Sequence, residues 1–331
     1  MKAPTAFVLH PSAGRHDTGP GHPEHAGRIG AIAAAFGEAR LGDGVVHVVP
    51  AAAARSELLR VHPESHIGAL EHAVARAAER GRPVEFAPET MVSPSTLEAV
   101  LTAVGGVAAA CDGVLAGRFA NAFVATRPPG HHCEADRAMG FCPVNTVAIA
   151  ARRLVEEGRA RRVLVLDWDV HHGNGTEAIF RADPDVYYLS LHQAPWYPGT
   201  GSASYRGVGR GDGTTRNIPL PAGTDARLFA AALEEGLEAT LAEFTPDVVL
   251  VSAGFDALAG DPLGGLLLEP HDFHTLTRIA MAAAERVCAG RVVALLEGGY
   301  DPARNAASAL EMVRALAGLD PADPTLPASA V

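Results

Sequence analysis

The sequence predicts an α/β protein built on a mostly parallel sheet with helices on both faces. Eight short apolar runs alternate along the chain with longer segments at helical spacing. The runs are continuous in Val, Leu and Ala, as in strands buried on both faces, and do not alternate with polar residues. Strand–helix alternation of this kind favours parallel pairing, because each return crossover is a helix laid on the sheet.

The predicted elements follow in order. Residues 5–10 and 45–49 read as the first two strands. Residues 63–80 and 94–115 read as helices, and 122–126 as a strand. A helix over 144–157 leads to strands at 162–167, 186–192 and 216–220. A helix at 225–243 precedes the strand 247–254, a helix at 270–288 precedes the strand 291–299, and a helix at 302–316 closes the pattern. Pro63, Pro94, Pro270 and Pro302 are expected at first helical positions, where the N–H that proline lacks has no partner anyway. Residues 195–213 are rich in Gly and Pro and too irregular for an element, which reads as a long functional loop. No internal repeat is evident. We expect one domain over 1–331, with a frayed Pro- and Ala-rich tail at 321–331.

Composition narrows the chemistry. Of 331 residues, 48% are hydrophobic, enough for a large core, and the formal net charge is −11. An acidic chain repels phosphate backbones unless its cations cluster. Arg159, Arg161 and Arg162 form the one short basic run, so direct nucleic-acid binding is not expected. A cationic substrate meets a favourable field. Lys2 is the sole lysine, which argues against Schiff-base chemistry. Cys111, Cys133, Cys142 and Cys288 have no C-x-x-C spacing, so no thiolate cluster is indicated. Cys111 and Cys288 lie in apolar helical patterns and read as core residues. No signal-like N-terminal segment and no apolar run of about 18 residues is seen, so no membrane association and a reducing cytoplasm are expected.

Ligands of open parallel sheets bind at the carboxyl ends of the strands. Potent residues follow several predicted strands here. After the strand 162–167, Asp169 and His171 are two apart and point to one side of an extended segment, a half-site for a divalent metal. Asp256, after the strand 247–254, can supply a third ligand and leave a position open. One imidazole with two carboxylates suits zinc, iron or cobalt. Alone, a D-x-H spacing is more often structural. After residues 122–126 comes Arg127-Pro-Pro-Gly-His-His132. The turn aims both imidazoles at the sheet mouth, where histidine suits proton transfer. Glu297-Gly-Gly-Tyr300 follows the last strand, and its tight turn can present a phenol to a cleft.

Together these segments resemble the zinc-dependent histone deacetylase family, closest to its class II branch and the bacterial histone deacetylase-like amidohydrolases. The resemblance rests on RPPGHH at 127–132, GFCPVNTVAIAA at 140–151, DWDVHHGNGT at 167–176, SLH at 190–192, WYPGTG at 196–201, SAGFDALAGDPLGG at 252–265 and LEGGY at 296–300. It runs from about His22 to Leu316. It implies the arginase/deacetylase fold, a three-layer α/β/α sandwich around an eight-stranded, mostly parallel sheet. The implied activity is removal of acetyl or short acyl groups from acyl-lysine or related amines.

The resemblance implies zinc on Asp169, His171 and Asp256. His132 would be the general base for the metal-activated water, and His131 electrostatic support or the acid. Asp167 would bond His131 and Asn174 would bond His132. Asn is neutral where some relatives carry Asp, so His132 is expected to be less basic. Tyr300 would donate to the substrate carbonyl. Gly140, Phe141 and Tyr197 would line a narrow tunnel with Leu263 at its rim. A structural potassium would fall on Asp167, Asp169, His171, Ser190 and Leu191, with a second potassium near Phe180, Asp183 and Val186. Arg28 matches an arginine associated with acetate release. The family's HPERPERI-like stretch reads His22-Pro-Glu-His-Ala-Gly-Arg-Ile29 here. The rim residue that grips substrate backbone has only Glu89 and Thr90 as candidates. An acetylpolyamine amidohydrolase is the alternative enzyme, and a non-catalytic acetyl-lysine-binding scaffold the alternative of another class. Oligomeric state stays open.

Overall fold

The computed structural model describes residues 3–39 and 41–322. Lys2 and positions 323–331 of the expected frayed tail lie outside the described residues. The elements run β1 (Thr5–Val8), α1 (Gly27–Glu38), β2 (Val45–Val48), α2 (Arg55–Leu58), α3 (Glu64–Arg80), β3 (Val84–Ala87), β4 (Thr90–Val92), α4 (Thr96–Leu115), β5 (Asn121–Val124) and α5 (Thr146–Glu156). They continue with β6 (Val163–Asp167), α6 (Asn174–Phe180), β7 (Val186–Gln193), β8 (Thr215–Leu220), α7 (Ala226–Glu243), β9 (Val248–Ala253), α8 (Asp272–Cys288), β10 (Val292–Leu296) and α9 (Pro302–Ala317).

Eight strands form one sheet in the order β2-β1-β5-β10-β9-β6-β7-β8, and every pairing in it is parallel. The eight predicted strands are all present. A separate antiparallel hairpin, β3–β4, is the one pair the sequence did not reveal.

Both faces of the inner strands are buried, which explains their unbroken apolar runs, while the edge strands β2 and β8 are partly exposed. On β6, Leu164 and Leu166 face one layer, with Phe229 and Leu233 of α7, Phe273 of α8 and Met312 of α9. Val163 and Val165 face the other, with Val107 and Cys111 of α4 and Val147 and Leu154 of α5. Burial of each such side chain stabilises by roughly 1.5–3 kcal/mol before entropy is counted. The result is the three-layer sandwich expected.

Two expectations are corrected. Only Pro302 occupies a first helical position, behind an Asp301 cap that accepts from the Ala303 and Arg304 N–H groups. Pro63 is the extended cap residue of α3, while Pro94 and Pro270 precede the caps Ser95 and His271. A proline φ near −65° fits an extended entry as well as a first turn, so its position alone does not fix the start. Helix α4 also overturns the expectation that no segment has membrane-spanning length and composition. Its 20 residues are apolar enough, and 61% of that window is buried inside the protein. Its apolarity comes from packing against the sheet and against α5, through residues such as Val107 and Val114.

Candidate active site

The four central strands, β5, β10, β9 and β6, are adjacent, and each runs into one of the chemically potent segments. The chain thereby brings residues 131–132, 169–171, 256 and 297–300 to a single sheet edge. Glu297 ties three of these ends together. Its carboxylate accepts from the Gly130 N–H at 2.6 Å, the His131 N–H at 3.2 Å and the Ser252 hydroxyl at 3.1 Å. Burial pushes Glu297 up to about 7.

Asp169, His171 and Asp256 are buried, and one ligating atom from each lies within 4.8 Å of the others. His171 Nδ1 is 3.0 Å from Asp169 Oδ1 and 3.2 Å from Asp256 Oδ2. The remaining carboxylate oxygens are fixed by main chain. The Gly298 N–H donates to Asp169 Oδ2 at 2.8 Å, and the Val170 N–H to Asp256 Oδ1 at 2.9 Å. Asp256 Oδ2 is buried without a hydrogen-bond partner. Burial disfavours a charged His171, but the Asp169 hydrogen bond and the negative charge of the Asp256 carboxylate beside the ring outweigh it and push its pKa up to about 10. Two buried carboxylates thus demand positive charge at one point. An orphaned oxygen and a one-nitrogen, two-carboxylate donor set fit a divalent cation there. Gly298 is required for the approach, since a Cβ on it would lie 2.0 Å from Asp256 Oδ2.

His131 and His132 lie beside this cluster with ring centroids 4.1 Å apart and planes tilted by 45°. His131 Nδ1 lies 3.0 Å from Asp167 Oδ2, which also accepts from the Tyr188 hydroxyl. Burial opposes its charge, but Asp169 and Asp167 override that and hold His131 well above the usual histidine range. His132 Nδ1 meets Asn174 Oδ1 at 2.9 Å. Burial, then the neighbouring His131 and His171, hold His132 well below that range. The two rings are therefore poised in opposite protonation states by their partners.

Tyr300 follows Gly299, whose φ of +110° turns the chain at a geometry open to glycine alone. Burial and then the Asp256 charge keep the Tyr300 phenol protonated. Its ring is edge-on to Phe141 at 5.9 Å and under the Arg28 guanidinium at 5.0 Å. Arg28 donates to the carbonyls of Gly299 and Glu297 and to Glu24. Glu24 also accepts from Arg127 at 2.6 Å, and all three side chains are fully buried.

A cleft of about 200 Å³ opens over the cluster. His132, His171 and Tyr300 line it with Gly140, Phe141, Tyr197 and Leu263, joined by Glu89, Trp196 and Pro262. The loop 195–213 supplies Trp196 and Tyr197. Thr90 is buried in β4 and does not line the cleft, whereas Glu89 does. Asp167 and Ser190 are register partners on β6 and β7, and the Gln193 N–H reaches the Val170 carbonyl, so residues 190–193 run beside 167–171. Leu191 is buried there. Phe180, Asp183 and Val186 lie at the opposite end of β7, where the Asp183 N–H donates to the Phe180 carbonyl. The sequence reading did not find Trp196, Pro262, Glu24 or Asp261. The turn-forming D-P-L-G-G run was the one available signal for the last.

A profile of the histone deacetylase domain matches residues 22–316. A probable deacetylase of Archaeoglobus fulgidus is 36% identical over 323 residues, covering 96% of this chain and 87% of its own. A histone deacetylase-like amidohydrolase of Pseudomonas aeruginosa is 38% identical over 268 residues, 81% of this chain and 69% of its own. The crystal structure of the HDA15 HD domain superposes with a TM-score of 0.88 at 31% identity, covering 100% of this chain and 92% of that one. The chain belongs to the histone deacetylase family, a zinc-dependent family, and is a deacetylase that hydrolyses amides of acetylated substrates.

Proposed function

We propose that this protein removes acetyl or short acyl groups from acyl-lysine or a related acylated amine, with zinc held by Asp169, His171 and Asp256. The observation that carries the reading is Asp256 Oδ2, buried without a hydrogen-bond partner 3.2 Å from His171 Nδ1 beneath the cleft. When bound, zinc supplies a Lewis acid for the amide oxygen and a lowered pKa for water.

The protein's own groups do the rest. His132 is neutral, and with its Nδ1–H donated to Asn174 its Nε2 is free to accept a proton. His131, tied to Asp167, serves as electrostatic support or as the acid. Tyr300 keeps its proton and donates a hydrogen bond to the carbonyl oxygen as charge develops. Gly140, Phe141 and Tyr197 hold an alkyl chain, and Leu263 closes the rim. Arg28 is read as assisting acetate release.

Glu89 favours the second reading, an acetylpolyamine amidohydrolase. It places a carboxylate at the mouth of the cleft, where a cationic amine would be attracted. The intact set of His131, His132, Asp169, His171, Asp256 and Tyr300 argues against a non-catalytic scaffold. A structural potassium on Asp167, Asp169, His171, Ser190 and Leu191, and a second near Phe180, Asp183 and Val186, complete the proposed ion set. The single continuous sheet supports reading 1–331 as one domain, and four free buried cysteines suit a cytoplasmic setting.

The test compares the purified zinc-loaded protein on an acetyl-lysine peptide and on acetylputrescine. Preference for the peptide supports acyl-lysine hydrolysis, and preference for the polyamine favours the second reading. Zinc-loaded protein inert toward both would refute the proposal. Tyr300→Phe should lower kcat roughly 10²–10³-fold with KM little changed.

A further inference from the structure

We infer that Asp261 is a positioning residue that sets the catalytic phenol and the cleft rim with one carboxylate, an inference that rests on the donor role proposed for Tyr300. Asp261 is buried, 5% exposed, in the segment that follows Asp256. Its Oδ2 accepts the backbone N–H of Tyr300 at 2.7 Å. Its Oδ1 accepts the backbone N–H of Leu263 at 2.9 Å. Both oxygens are used by main-chain donors from two different cleft walls. One comes from the turn after β10 and one from the rim.

Tyr300 needs such a tie. Gly299 immediately before it adopts φ +110°, a conformation most residues avoid, so the turn gains little from local preference. The phenyl ring packs against Arg28 and Phe141, which fix its tilt. Packing alone lets a ring slide along its own plane. The Asp261 bond fixes the backbone from which the ring projects, and with it the reach of the hydroxyl. Two main-chain N–H groups held by one buried side chain couple the Tyr300 turn to the rim segment, so neither can shift without breaking a bond. A misplacement of about 1 Å in a catalytic group can lower the rate about 100-fold. Asp261 touches neither the proposed zinc ligands through a hydrogen bond nor the substrate-facing ring of Tyr300. Its effect on the reaction therefore passes through position.

Asparagine at 261 is nearly isosteric but offers one acceptor oxygen to two N–H donors. Its amide would confront the other donor with N–H groups. The experiment is a double-mutant cycle on the zinc-loaded protein with a fluorogenic acetyl-lysine amide: wild type, Asp261→Asn, Tyr300→Phe and the double variant. We expect Asp261→Asn to lower kcat at least tenfold with KM within about threefold. In the Tyr300→Phe background the same change should lower kcat less than twofold, because the group being positioned is already gone. Asp261→Ser, which keeps one hydroxyl acceptor and admits water, repeats the cycle independently. Equal losses in both backgrounds would overturn the inference, as would unchanged kcat in Asp261→Asn. Failure of both Asp261 variants to fold would also reject it, since the role would then be structural. An unchanged rate in Tyr300→Phe alone would instead sink the donor role of Tyr300.

Discussion

The ring Nδ1 of His132 lies 2.9 Å from the side-chain oxygen of Asn174, while the neighbouring His131 meets a full carboxylate, Asp167, at 3.0 Å. A neutral partner stabilises an imidazolium less than a carboxylate does, and burial, with His131 and His171 beside it, lowers the His132 pKa against the smaller raising effects of Asp169 and the Asn174 bond. Asn174→Asp should make His132 more basic and move the acid limb of the kcat/KM profile to higher pH by about 1–2 units. A superimposable profile would remove His132 as the group that titrates.

Gly298 brings its main chain against both metal-cluster carboxylates. A Cβ there would lie 2.0 Å from Asp256 Oδ2 and 2.7 Å from Asp169 Oδ2. Gly298→Ala should displace these oxygens and lower zinc affinity by at least tenfold while the far end of the sheet stays folded. Competition with a chromophoric chelator measures this. Wild-type affinity in the variant would mean that the carboxylates do not need their present placement.

His62 sits at the entry to α3. Its Nδ1 donates to the Ala135 carbonyl at 2.8 Å and its Nε2 accepts the Asn145 N–H at 2.9 Å. Burial first, and then His66, lower its pKa to about 4 against a backbone bond that raises it. The unfolded chain takes up this proton near 6.5 and the native state only near 4. Stability should therefore fall as pH drops from about 6.5 to about 4, by about 3 kcal/mol from this residue, and level off below. In His62→Gln the slope in urea-unfolding free energy across that window should shrink by this amount. An unaltered slope would contradict the assignment.

The parts of the protein that were legible in the sequence are those with local grammar. Residues 162–167 and 247–254 read as strands because both their faces are buried. The residues just beyond them had to cluster once the strands were parallel and adjacent. Asp169 and His171 are expected on extended chain, but they lie in the bend that follows β6, and Asp169 Oδ1 gathers both the His171 N–H and its ring Nδ1. What stayed hidden has no periodic signature. The β3–β4 hairpin has strands of four and three residues, too short for a pattern to emerge. The buried Glu24–Arg28–Arg127 cluster joins residues 103 apart, and charged residues are ordinarily expected at the surface. Asp261 carries its role through two main-chain contacts that only the folded turn creates. Glu89 and Thr90 are adjacent candidates in the sequence, and the fold separates them: Glu89 is exposed in the β3–β4 turn at a φ of +61°, while Thr90 is buried at the start of β4. Helix α4 has no uninterrupted apolar run, because Glu98, Thr102 and Asp112 break it, although its residues are apolar enough on average to span a membrane.

The central claim is that Asp169, His171 and Asp256 hold one divalent ion together. Metal analysis of the purified protein after dialysis against limiting zinc tests it most directly, with Asp256→Ala alongside and circular dichroism as the check on folding. The account predicts about one zinc per chain in the wild type and less than a tenth of that in the folded variant. Equal zinc in both would contradict it.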